Sequence, residues 1–194
     1  MGRVLGALTE GAGDIQISLL GKAFQHGEGF VTNAILCGLI GESTDRSVNL
    51  INAVDTSKSL GWTHETNCGP AEGQFSSEIK VVVTAGSRTH KCTGVVFGDE
   101  PRLVELDGAR VEATLDGSLF IMENADMPGV VGAVGSALAA ANVNVNRVHL
   151  AKAHGNKAVS IWSVSHLDDA LLQSLSQLNH VQRVTPVSLT DSAS

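Results

Sequence analysis

Between residues 118 and 189 the spacing of apolar positions switches repeatedly between two periods, and each switch predicts an element boundary. Leu119 and Ile121 alternate with Phe120 and Met122, so both faces of a first strand are apolar, as in a strand covered on both sides. Asp126-Met-Pro-Gly129 is a turn. Val130, Val134, Leu138 and Ala141 then recur at helical spacing. Pro128 pre-sets φ for a first helical turn, with Asp126 as the expected N-cap. Gly132 and Gly135 each weaken such a helix by about 1 kcal/mol, and close approach to a sheet is the expected compensation. Asn142 is a left-handed stop. Val143 and Val145 open a second strand, but Val148 and Leu150 have the other parity, which predicts a bulge near Arg147. His154-Gly-Asn-Lys157 turns into a strand over 158–165. Asp168 and Asp169 suit the first turn of a helix striped by Leu171, Leu172, Leu175 and Leu178, and 181–189 reads as a last strand. The order is βαββαβ, the ferredoxin-like arrangement.

The first part of the chain reads differently. Ile15, Ile17 and Leu19 alternate with polar neighbours in a strand over 14–23. A helix with a broad apolar face is predicted over 30–42, a short buried strand over 48–53, and a short helix over 55–61 ended by Gly61. Residues 63–66 are extended, and 67–75 form a Gly/Pro-rich loop. Strands follow over 78–84, 90–97 and 103–106, with turns at 85–87 and 98–101. Asp107-Gly108 is a two-residue hairpin turn into 109–115. The whole is an α+β chain: a short N-terminal segment (1–12), a unit with a mostly antiparallel sheet (13–116), and the ferredoxin-like unit (117–194).

The composition fits an ordinary soluble core of one domain or two small ones: 194 residues, 43% hydrophobic and 17% charged. A net charge of −7 disfavours nucleic acid, and the chain has no Tyr, a single Trp in the relevant strand (Trp162) and no basic stripe on which bases would stack. The three cysteines, Cys37, Cys68 and Cys92, are widely spaced without a CxxC pair. That spacing argues against a disulfide framework or a zinc site and for a reducing, cytoplasmic setting. No apolar run has membrane-spanning length. The seven histidines form no ligand pattern, so no metal is expected; His149 and His154 would fall on opposite faces of an unbroken strand. Gly11-Ala-Gly13 precedes a strand and is no dinucleotide fingerprint, and there is no Gly-x-Ser-x-Gly elbow.

What chemistry remains lies in the second unit. The turn after its first strand and the stop before its second are expected to bring Asn124, Asp126 and Asn144 to one end of the fold. Short polar side chains beside a helix N-terminus, with the backbone N–H groups of Val130 and Val131 exposed, suit a small zwitterion such as an amino acid. No residue in this stretch is a nucleophile or general base, so no catalytic residue is assigned. The alternative roles are an N-cap for Asp126 and a strand-edge position for Asn144.

The motif Asn124-Ala-Asp-Met-Pro-Gly-Val-Val-Gly132, followed by Asn142-Val-Asn-Val-Asn146, resembles the ACT domain, an amino-acid-binding regulatory module. Upstream, Val48-Asn-Leu-Ile-Asn-Ala53, Thr93-Gly-Val-Val-Phe-Gly98 and Pro101-Arg-Leu-Val-Glu-Leu-Asp-Gly108 resemble the intervening, allosteric substrate-binding domain of the D-3-phosphoglycerate dehydrogenase family. Residues 4–11 are similar to the helix that leaves the catalytic half of those enzymes. The resemblance implies a regulatory portion of an NAD-dependent enzyme of L-serine biosynthesis, separated from its catalytic and NAD domains. The chain alone would then hold no cofactor and be inactive. Its expected partners are L-serine or a related amino acid, the ACT domain of another subunit and the missing catalytic domains; neither nucleic acid nor membrane is among them. The resemblance also implies effector contacts for Asn144 and Asp126. Asn124 stands where relatives carry His or Tyr. Arg102 and Arg110, beside the 107–108 hairpin, imply an anion site or else solvated charges, with Lys80, Lys91 and His90 as weaker candidates. The alternatives are part of an iron–sulfur L-serine dehydratase and a stand-alone amino-acid sensor.

Overall fold

The computed structural model describes residues 1–41, 44, 47–71, 74–97, 100–153 and 155–189. They form two compact units, Met1–Asp107 and Gly108–Ser194. In chain order the elements are α1 (Gly2–Leu8), β1 (Asp14–Gly21), α2 (Glu28–Ile40), α3 (Ala53–Ser59), β2 (Thr63–Gly69), β3 (Ser77–Ala85), β4 (Arg88–Phe97), β5 (Glu100–Leu106), β6 (Ala109–Thr114), β7 (Ser118–Ala125), α4 (Val130–Ala140), β8 (Val145–Lys152), β9 (Lys157–Val164), α5 (Asp169–Ser176) and β10 (Val181–Ser188). One sheet is ordered β2-β1-β3-β4-β5-β6 and the other β10-β7-β9-β8. The α+β class predicted from the sequence is the class observed.

In the first unit β1 runs parallel to β2 and antiparallel to β3. Its inward residues Ile15, Ile17 and Leu19 are buried, as their alternation predicts. Helix α2 begins two residues earlier than the sequence suggests and buries Thr32, Ile35, Leu36, Leu39 and Ile40 along one broad stripe. Thr32 and Thr66 share a hydroxyl contact of 3.0 Å that ties α2 to β2. Helix α1 packs on α2 through glycines. A Cβ on Gly2 would collide with the carbonyl oxygen of Ile35, and one on Gly6 with that of Leu39. Gly38 lies opposite, against the backbone of Arg3.

The strand expected over 48–53 does not form. Asn49 Oδ1 accepts the N–H groups of Ile51 and Asn52 (2.9 and 3.1 Å), and Asn52 Oδ1 accepts that of Asn49 (2.8 Å). These side chains satisfy the backbone locally, in competition with a ladder, and the chain turns directly into α3. Strand β2 extends to Gly69, further than the polar 63–66 segment suggests, because pairing with β1 supplies its hydrogen bonds. The 107–108 hairpin turn is as expected, with φ of 49° at Asp107 and 83° at Gly108, the signs a type I′ turn requires. The expected 98–101 turn falls partly on residues outside those described, as does His154.

The second unit has the ferredoxin-like order, with β7 central between β10 and β9 and β8 at one edge. The ladder of β8 on β9 shifts register between Val145 and Arg147, where the parity change predicts a bulge. Phe120 and Trp162 are cross-strand partners, with rings stacked at 5.7 Å beneath α4 and α5. Trp162 is thus a core residue, its indole N–H satisfied by Ser160 (2.8 Å). Val130, Val134 and Leu138 of α4 and Leu171 and Leu175 of α5 complete that core. Asp168 caps α5, accepting from Leu171 N–H at 2.7 Å, and Asn142 takes the left-handed conformation (φ 56°).

Two expectations about α4 are corrected. Its N-cap is Gly129, in the left-handed region with no side-chain cap, and the helix starts two residues after Pro128, not on it. Gly132 and Gly135 face open space: a Cβ on either would meet no atom within 4 Å. They do not serve close packing on the sheet.

Candidate functional site

Strand register decides which polar residues of the second unit meet. Asn124 pairs across to Ala158, and Ala158 to Lys152. At the opposite end Ser118 pairs with Val164, and Val164 with Val145. Val145 therefore lies about 20 Å along the strands from Asn124, six residues at roughly 3.3 Å each, and Asn144 and Asp126 lie beyond those two points at opposite ends. The expected convergence of Asn124, Asp126 and Asn144 within one protomer does not occur. β7 and β8 run parallel, so a residue ending the first and one starting the second must lie at opposite ends of the sheet.

One end holds Asp126 and Asn124. The Asp126 carboxylate pairs with Lys152 at 2.9 Å and is not an N-cap. Both side chains are partly or largely exposed, so this pair contributes at most about 1 kcal/mol. Its backbone N–H donates to Asn156 O at 3.0 Å. Asn124 is buried (5% exposed), and its amide donates to Ala125 O at 2.7 Å. The N-terminus of α4 opens at the same end without a side-chain cap; Val130 is buried there and Val131 exposed. An uncapped N-terminus of an eleven-residue helix carries partial positive charge on its free N–H groups.

The other end holds Asn144. Its backbone is fixed by Ser165, which donates N–H to Asn144 O (2.9 Å) and accepts Asn144 N–H at Oγ (3.1 Å). Its side chain lines a polar cleft of about 500 Å³ with Asp116, Asn146, Arg147 and Ser163. Arg147 reaches Asp116 at 3.3 Å across the mouth, and Ser163 is its cross-strand partner. Sequence reading does not single out Asp116, Asn146, Arg147 or Ser163. The signal for Arg147 is the bulge at that position, which re-aims side chains.

In the first unit Arg102 donates to Glu100 at 2.7 Å, and its guanidinium lies over the Phe97 ring at 5.7 Å. Arg110 is exposed on β6. Lys80, partly exposed, pairs with the buried Glu78 at 3.6 Å, and Lys91 pairs with Glu105 at the surface. His90 Nδ1 meets the Asp107 carboxylate at 2.7 Å. Among the described residues no group of three or more His, Cys, Asp or Glu could hold a metal ion, and no helix is long and apolar enough to cross a membrane. A dinucleotide does not fit the β1–α2 turn: Gly27 and Gly29 are followed by the buried Thr32 where the third glycine of such a cradle would stand.

The family model for the D-3-phosphoglycerate dehydrogenase intervening domain matches residues 1–107. A curated D-3-phosphoglycerate dehydrogenase of Bacillus subtilis is 27% identical over 95% of this chain and 35% of its own length. Those of Archaeoglobus fulgidus (27% over 75% of this chain, 28% of its own) and Sus scrofa (30% over 56%, 22% of its own) are also similar. The chain spans about a third of the length of the curated relatives it matches.

Proposed function

Because the chain belongs to the D-3-phosphoglycerate dehydrogenase intervening domain family, we propose that it is the regulatory, amino-acid-sensing portion of an NAD-dependent D-3-phosphoglycerate dehydrogenase. In this reading the second unit is an ACT domain, and two copies bind L-serine or a related amino acid between them. The full-length enzyme would work in the cytoplasm at the opening of L-serine synthesis.

The observation that carries this reading is the register of the second sheet. Asn144 and the Asp126/Asn124 end are separated in one protomer, and β8, the terminal strand, runs between them. Although β6 lies close to β8, Val145 (36%), Val148 (36%) and Leu150 (56%) stay exposed. Antiparallel pairing of β8 with β8 of a second copy would bury these side chains and close an open sheet edge. The same pairing would set Asn144 of one copy against the Lys152 end of the other, beside its Asp126 and α4 N-terminus. The α-carboxylate would meet backbone N–H groups there, and the ammonium would replace Lys152 on Asp126. The site would exist only between copies, so serine and assembly would stabilise each other, a coupling of typically about 1–3 kcal/mol.

Calorimetric titration of L-serine, with sedimentation at matched concentrations, tests this. Binding to a dimer and serine-strengthened dimerisation are expected. A well-folded dimer that takes up no serine would refute the reading.

A further inference from the structure

The first unit carries a cleft of about 850 Å³ that the function above does not use. It opens at the carboxyl ends of β1 and β2, a parallel pair joined by a crossover that includes α2. In such βαβ units strand ends, turn backbone and the start of the helix converge on one crevice, the usual place for a small ligand in parallel sheets. Here the strands end in Gly21 and Gly69. Gly21 adopts φ 108°, and a Cβ there would collide with the carbonyl oxygen of Ser76. Ser76 and Ser77, at the start of β3, pack against Gly21 and form one wall of the cleft.

The charges lining this cleft are of opposite sign and do not cancel. Lys22 and Glu28 both face it, yet neither forms an ion pair with any described residue. Glu28 accepts a hydrogen bond from the Cys68 thiol, Sγ to Oε2 at 3.3 Å, and a thiol is a weak donor. Phe24 and Pro70 add apolar surface beside the two charges. A simple anion would meet Lys22 but be repelled by Glu28, and a simple amine would meet the reverse. A molecule bearing both charges satisfies both.

We propose that this cleft binds a free α-amino acid, with its carboxylate at Lys22, its ammonium at Glu28 in place of the Cys68 thiol, and its side chain against Phe24 and Pro70. The site is separate from the one between second units and does not depend on it. Its test is calorimetry on the full chain carrying Asn144→Ala, which silences the other site. The probes are glycine and L-serine, leucine, phenylalanine, glutamate and lysine, with acetate and methylamine as single-charge controls. At least one amino acid is expected to bind with Kd on the order of 1 mM or below. Lys22→Gln and Glu28→Gln, both surface changes, should each weaken it about tenfold or more, while Cys68→Ser should not. The proposal is overturned if no amino acid binds, if acetate or methylamine binds as tightly, or if binding survives both substitutions. Serine uptake by the chain carrying Lys22→Gln and Glu28→Gln with Asn144 intact reports on the inter-copy site alone, so the two proposals stand or fall separately.

Discussion

His90 Nδ1 sits 2.7 Å from the Asp107 carboxylate, whose second oxygen accepts the Lys91 N–H at 2.8 Å. One side chain thus ties β4 to the turn residue with φ 49° that starts the β5–β6 hairpin. Asp tolerates that conformation better than most residues. Asp107→Ala loses both contacts and strains the turn, and should cost about 1–3 kcal/mol, read as a lower urea midpoint. Asp107→Gly, which relieves the strain but still removes the contacts, should fall between wild type and Ala.

The inter-copy site makes a complementation prediction. Asn144→Ala and Asp126→Ala each destroy both sites of their own homodimer. Mixed, they form heterodimers in which one site keeps Asp126 from one copy and Asn144 from the other. In a Lys22→Gln, Glu28→Gln background, serine binding absent from each variant should return on mixing, at one site per heterodimer. A site built within one protomer would not recover.

Gly132 and Gly135 on α4 look into empty space. Replacing either by Ala should stabilise the protomer by about 0.5–1 kcal/mol through helix propensity, seen as a higher melting temperature in dilute solution. Stabilisation of the monomer with weaker dimerisation would show that the space receives the second copy.

Burial raises the Cys92 thiol to about 12. In the unfolded chain the thiol titrates near its ordinary value, about 8.5. Above that value the unfolded state has lost its proton and the folded state has not, so folding stability falls as pH rises. Between about pH 9 and 12 this one group contributes a loss of roughly 1.4 kcal/mol per pH unit. The contribution is absent below pH 8. Cys92→Val should flatten that limb of the stability–pH curve, as measured by urea titrations at stepped pH.

Finally, pure chain supplied with NAD and 3-phosphoglycerate should yield no NADH, read from the absorbance of the reduced nicotinamide. Measurable turnover would overturn the assignment as a regulatory portion.

The second unit was legible because its signals were local and redundant. The Leu171 and Leu175 stripe, the Asp168 cap, the Asn142 stop and the parity change before Val148 each mark one boundary, and all appear in the fold. What escaped sequence reading depended on register or on competition. Asn144 and Asp126 share a motif but not an end of the sheet, because only pairing through β9 fixes their level. The 48–53 segment has the apolar content of a strand, but Asn49 and Asn52 take up its backbone groups. Asp126 has the right residue type for a cap, yet Gly129 holds that position and Lys152 claims the carboxylate. The cleft at Lys22 and Glu28 is assembled from strand ends far apart in sequence, so no contiguous motif announces it.

The glycine contacts between α1 and α2 have a mechanical meaning. With Gly2 and Gly6 against the backbone of Ile35 and Leu39, no side chain lies between the two helices at these points to yield under load. A push on α1 is transmitted to α2 as to a strut, with little slack to absorb it. The far end of that strut is Glu28, on the rim of the cleft.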